Sequence, residues 1–331
     1  MLHVQFIQLV LQQTVDSFLC SVIIRAVADF TRASTYAFSL QNWYGYRLTS
    51  LSFLMTNGSI ENLLAEIQQW LTPTDPWPKL ETSLQSRSAG TGRWYLQSAQ
   101  HEKWKIGASS FIWLHGSVGC GKTILSASIM EDVQHYCDND PTKSLAIFFF
   151  DFQDARKQGA TDMIKSLISQ LIGACVSVPE AVESLYVACK ELGRGASKKQ
   201  LLQALKSILE MLSDTFVIVD ALDECTTWNL LSDFLTEIQS WDKITLRALV
   251  TSRKEVKIDE ALDQIVPPSS RICIESHLAD VDIETYVQQR LVEDGLFKRW
   301  REDLELCNEI KSVLTRKARG MYSSPDFVQM S

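Results

Sequence analysis

The sequence predicts an α/β fold, a five-stranded, mostly parallel sheet with helices on both faces. Three observations predict it. Five short apolar runs, at residues 111–114, 145–152, 215–220, 246–252 and 271–275, suit strands buried on both sides. Segments with apolar residues three and four apart separate the first three of these runs, as amphipathic helices would. The chain from Ser109 onward alternates the two patterns, which is what a covered parallel sheet requires. Composition agrees. The 331 residues are 46% hydrophobic and 22% charged, enough apolar material for a sizeable core. By length alone the chain holds about two domains, or one α/β domain with extensions.

Taken in order, residues 4–30 carry Val4, Ile7, Leu11, Val15, Phe18, Val22 and Ala26 at helical steps. No basic segment precedes them, so they do not read as a signal peptide. The uncharged run 17–24, bounded by Asp16 and Arg25, is far shorter than the roughly twenty residues of a membrane span. A helix packed on the protein or on a partner is expected. Residues 31–58 give little pattern. Residues 60–71, "IENLLAEIQQWL", predict a second amphipathic helix that stops before "TPTDPWP". Residues 82–92 are turn-rich, and "RWYLQSAQHEKW" predicts a short helical or irregular piece. Beyond the first strand, helices are expected at 123–133, at 161–175 with Thr161 as N-cap, and at 197–212 with Ser197 as N-cap. The last two patterned segments, "DVDIETYVQQRLVEDG" and "EDLELCNEIKSVLTRKARG", also look helical. The domain boundaries that follow are 1–58 for an N-terminal helical region, 59–105 for a leading helix and linker, 106–276 for the α/β core, and 277–331 for a further helical segment.

The net charge is −8 and no long Lys/Arg run is present, which argues against nucleic acid as the main partner. Eight cysteines form no C-x-x-C pair, and the sequence shows no secretory signal. Free thiols in a reducing, cytoplasmic compartment are expected. Five scattered histidines give no zinc-ligand spacing.

The chemistry is concentrated where the first strand ends. Gly116-Ser117-Val118-Gly119-Cys120-Gly121-Lys122-Thr123 fits the phosphate-binding pattern G-x-x-x-x-G-K-[ST]. A polyphosphate is a dense anion. A tight glycine loop can turn successive backbone N–H groups toward it, and the helix that follows offers its positive N-terminal end. Lys122 can reach the β- and γ-phosphates, and the Thr123 hydroxyl can bind Mg²⁺. About a hundred residues on, "TFVIVDALDEC" ends an apolar strand in Asp220, followed by Asp223 and Glu224. A carboxylate at the C-terminal end of a parallel strand lies at the edge where open α/β sheets bind ligands. Asp220 is the expected Mg²⁺ partner. Asp223 or Glu224 can orient or activate the attacking water, and the spacing does not choose between them. Arg253, just past "ALVTS", can reach the γ-phosphate. Asp151 and Asp154 end the second strand, where structural capping is the better expectation.

The set "TGRWYLQS…W", "FIWLHGSVGCGKTIL", "FFFDFQD", "FVIVDALDE", "ALVTSRKE" and "DIETYVQQRL" resembles the NACHT NTPases of the signal-transduction ATPases with numerous domains. It is most similar to the nephrocystin-3-like N-terminal NACHT module common in fungal signalling proteins. The resemblance covers roughly residues 60–320. It implies a P-loop NTPase fold with the Gly116–Thr123 loop after the central strand, and helical subdomains closing over the nucleotide. It also implies an ATP/ADP-dependent switch that oligomerises with NACHT partners on activation. By the same resemblance, Lys122 is the phosphate lysine, Thr123 the Mg²⁺ hydroxyl, Asp220 the Walker B aspartate and Arg253 the sensor arginine. Such chains usually continue past "KARGM" into a helical and winged-helix region and then repeats. Here "YSSPDFVQMS" follows instead, so the helical segment 277–331 is expected to be truncated. The first 55 residues match no effector domain. Two function classes stay open: a nucleotide switch with slow Mg-dependent ATPase activity, and a non-enzymatic NACHT fragment that pairs with full-length relatives as decoy or regulator. The chain has no [NT]-K-x-D for guanine and no L-S-G-G-Q segment, which disfavours Ras-like GTPases and transporter ATPases.

Overall fold

A computed structural model describes residues 62–108, 110–241, 244–274 and 309. All lie in the unit Ile60–Ser331, one of two into which the chain divides. The expected helices at 4–30 and within 277–320 fall outside the described residues, apart from Glu309.

The described chain begins with a helix over residues 62–71 (α1), followed by α2 (Trp77–Gln85), α3 (Arg93–Leu96) and α4 (Ala99–Ile106). The core then runs β1 (Ser110–His115), α5 (Lys122–Asp138), β2 (Lys143–Phe149), α6 (Ala160–Ile172), α7 (Glu180–Leu192), α8 (Lys198–Met211) and β3 (Asp214–Asp220). It closes with α9 (Trp228–Gln239), β4 (Leu246–Ser252), α10 (Val256–Asp263) and β5 (Arg271–Cys273).

The five strands form one sheet in the order β2-β3-β4-β1-β5, every pair parallel. Its side chains alternate between two apolar layers, as the two-residue period of a strand dictates. Trp113, Ala146, Phe148, Val217, Val219 and Val250 enter one layer with α1 and with helices α6 to α10. Ile112, Leu114, Ile147, Phe149, Phe216, Ile218 and Leu249 enter the other with α2 to α5. Both faces are covered, so the strands read as near-continuous apolar runs.

The order corrects one expectation. The strand that feeds the glycine loop is β1, which lies beside the middle strand rather than in the middle. The centre belongs to β4, which pairs with β1 on one side and β3 on the other. This β4 therefore separates the glycine loop from the acidic turn by one strand width.

Element ends also differ. The second strand stops at Phe149, not at residue 152, because the chain turns there, with Asp151 N–H donating to Lys157 O at 3.1 Å. Helix α6 starts at Ala160 with Gly159 in the cap position, so Thr161 lies inside its first turn. The Ala160 N–H is satisfied instead by the Thr227 hydroxyl at 2.8 Å. Ser197 does open α8, and its N–H donates to the Gln200 side chain at 2.9 Å. Residues 77–85 are helical, so the turn-rich segment is shorter than expected. Helices α7 and α9, which the sequence reading left unassigned, complete the layer: in α9, Leu231, Phe234, Leu235 and Ile238 follow a helical period and are buried. Among the described residues Cys120, Cys137, Cys175, Cys189 and Cys225 are free thiols. No helix among them is long and apolar enough to cross a membrane.

Candidate functional site

The site is built at the C-terminal edge of the sheet. β1 delivers Gly116, whose N–H donates to Ser252 O of β4 at 3.4 Å. A Cβ on Gly116 would meet Cys120 Sγ at 2.7 Å and Ile274 O at 3.2 Å, so the turn closes only with glycine there. Gly119 and Gly121 take φ of 71° and 86°, the left-handed region that glycine enters without penalty. Gly121 is also the N-cap of α5, so Lys122 and Thr123 sit in its first turn. The Lys122 ammonium folds back over the loop and donates to Gly116 O at 3.0 Å and Ser117 O at 2.7 Å, with Cys120 Sγ 3.7 Å away.

Asp220 ends β3 and is 2% exposed. Its carboxylate accepts from Thr123 Oγ1 at 2.8 Å and from Thr251 Oγ1 at 2.6 Å. Thr251 in turn accepts the Ala221 N–H at 2.9 Å. Burial pushes the Asp220 carboxyl above the usual range, and the hydrogen bonds from Thr251 and Thr123 work against that rise. Ala221 then turns the chain with φ 59° and ψ 53°, a left-handed conformation that is strained for a residue with a Cβ.

The turn sends the next two carboxylates to different partners. Asp223 accepts from the backbone N–H of Arg253 at 2.9 Å, and its second oxygen lies 3.1 Å from Arg253 Nε. Glu224 accepts from the Phe152 N–H at 2.9 Å. Burial raises its pKa. The Phe152 hydrogen bond lowers it, and the neighbouring negative charges of Asp223, Asp151 and Asp220 raise it further. Asp151 pairs with Lys79 at 3.2 Å, and Asp154 accepts from Arg156 N–H at 3.1 Å to cap a short turn.

These residues surround one cavity of about 400 Å³. The loop from Val118, Lys122, Thr123, Asp223, Glu224, Thr251 and Arg253 form one side of it. Asp220 reaches it only through Thr123 and Thr251. Ser86, Ser88, Thr91, Gly92 and Trp94 form the other side. Sequence reasoning missed that second wall and Thr251. The wall looked like a turn-rich linker, and its role depends on how α2 packs against α5. Thr251 carried a weak signal, as a hydroxyl ending a buried strand. The Thr123 and Asp220 oxygens suit Mg²⁺, a hard cation that takes oxygen ligands.

Residues 90–253 match the family profile described as Nephrocystin 3, N-terminal. Over 237 residues the chain is 27% identical to the vegetative incompatibility protein HET-E-1 of Podospora anserina, which covers 69% of this chain and 17% of that protein. The chain thus spans less than a fifth of that relative's length. Among solved structures it resembles Cdc6p from Pyrobaculum aerophilum, at 15% identity and a TM-score of 0.39 over 61% of this chain and 49% of that one. It also resembles the Aeropyrum pernix ORC1 protein in complex with DNA, at 14% identity and a TM-score of 0.38 over 70% of this chain and 63% of that one. The DNA belongs to that complex.

Proposed function

We propose that residues 90–253, which match the Nephrocystin 3, N-terminal profile, form a nucleotide-binding P-loop module, and that the chain is an ATP/ADP-dependent signalling switch with slow Mg-dependent ATP hydrolysis. One observation carries this reading: a single cavity is lined at once by the glycine loop with Lys122, by Thr123 backed by Asp220, and by Glu224 and Arg253. On this reading Lys122 exchanges the carbonyls of Gly116 and Ser117 for phosphate oxygens, which are stronger partners for an ammonium. Thr123 and Asp220 hold Mg²⁺, which neutralises phosphate charge when bound. Glu224 leaves the Phe152 N–H and takes a proton from the attacking water. Its raised pKa brings it closer to the neutral range where a base works best. Arg253 meets the γ-phosphate. The wall of Ser86, Ser88, Thr91 and Trp94 takes the nucleoside end.

The test uses the purified chain. Lys122→Ala should weaken ATP binding by about a hundredfold, the loss of two charge-assisted contacts, as read by calorimetry. Glu224→Gln should keep Mg-ATP bound but slow phosphate release by at least about a hundredfold. Equal ATP binding by parent and Lys122→Ala would sink the reading. Binding without any turnover in the parent would leave the interaction-fragment role as the better account.

A further inference from the structure

We infer that Asp223 is not a second base but the positioning residue that aims Arg253 at the terminal phosphate. The inference rests on the nucleotide-switch reading above. Both oxygens of Asp223 are committed to one residue, with Oδ1 on the Arg253 backbone N–H at 2.9 Å and Oδ2 facing Nε at 3.1 Å. The Asp223 side chain is 5% exposed, whereas that of Arg253 is 44% exposed and lines the cavity. A guanidinium held at Nε keeps its two terminal amino groups for another partner, in a plane set by the anchor. The same carboxylate also pins the start of the segment after β4. The guanidinium is therefore held at its inner edge and offers its outer edge to the cavity that Lys122 also lines. Glu224, on the Phe152 N–H, does not share these partners. The adjacent acids thus divide the work: Glu224 faces water, and Asp223 sets the geometry that distinguishes a triphosphate from a diphosphate.

This predicts a signature that a base would not give. Asp223→Asn should lower the preference for ATP over ADP by about tenfold, the worth of one charge-assisted contact, while ADP affinity stays at the parent value. Arg253→Ala should cause a similar loss. The double variant should lose no more than either single, because the two residues act as one unit. Arg253→Lys keeps the charge but cannot hold Asp223 and the phosphate at once, so it should behave as Arg253→Ala does. That variant leaves Asp223 intact and carries the test if the Asn variant is unstable. ATP and ADP affinities of the parent and the four variants by calorimetry, with phosphate release, decide the matter. Additive losses, full ATP preference in Arg253→Lys, or an Asp223→Asn that binds ATP normally yet slows hydrolysis as Glu224→Gln does would overturn the inference. A parent that binds neither nucleotide would instead overturn the switch reading beneath it.

Discussion

At the scale of single residues, Asp220 is a buried carboxylate hydrogen-bonded by the hydroxyls of Thr123 and Thr251. Its folded pKa lies above the ordinary value near 3.8 because burial outweighs the hydrogen bonds from Thr251 and Thr123. The sign of the linkage follows. A raised pKa contributes stability below the unfolded value and loses it as pH climbs through the folded value. The nucleotide-free protein should therefore lose stability as pH rises through that window. Glu224, raised for the same first reason, adds to the trend. Asp220→Asn removes the Asp220 part of this trend and keeps an acceptor for one threonine. Its Tm should exceed that of the parent at neutral pH, by about 2–4 °C for each kcal/mol gained, and the gap should close in acid. A gap that widens in acid would contradict this account. The same variant should lose any tightening of ATP binding by Mg²⁺.

At the scale of elements, the acidic turn is the part most at odds with local preference. Ala221 holds a left-handed conformation that costs an L-residue about 1–2 kcal/mol. Ala221→Gly relieves it and gives back about 0.5–1 kcal/mol through unfolded-state entropy. A net gain of about 0.5–1 kcal/mol is expected, read as a higher urea midpoint at unchanged slope, and a lower midpoint would refute it. Nothing in "DALDE" announces this strain. It follows from the Ala221 N–H reaching Thr251 on a strand thirty residues away. The strands were legible for the opposite reason. Residues such as Ile147, Ile218 and Leu249 must be apolar because helices cover both faces, so burial itself wrote the pattern. The glycine loop was legible because its backbone angles demand glycine locally. The separate partners of Asp223 and Glu224 were not, since Arg253 and Phe152 come from other elements.

At the scale of the molecule, the sheet order imposes a sequence of events on folding. The partners of β1 are β4 and β5, with Ser110 opposite Arg247 and Trp113 opposite Arg271. As the chain leaves the ribosome, β2 and β3 can join first, since they are paired residue for residue and linked by α6 to α8. The strand bearing the glycine loop must wait, with no edge to dock on, until residue 252 is free. Pairings this distant in sequence fold slowly. A C-terminal truncation series should show this as a step. Chains ending before residue 246 contain the loop and all three acidic residues, yet should bind no ATP in a fluorescence assay. Chains ending beyond residue 274 should bind it. Gradual recovery across the series would argue that the loop folds by itself. From the emergence of β1 to that of β4 the nascent protein therefore carries Trp113 and its neighbours without their strand partners, a long interval in which a chaperone has something to hold.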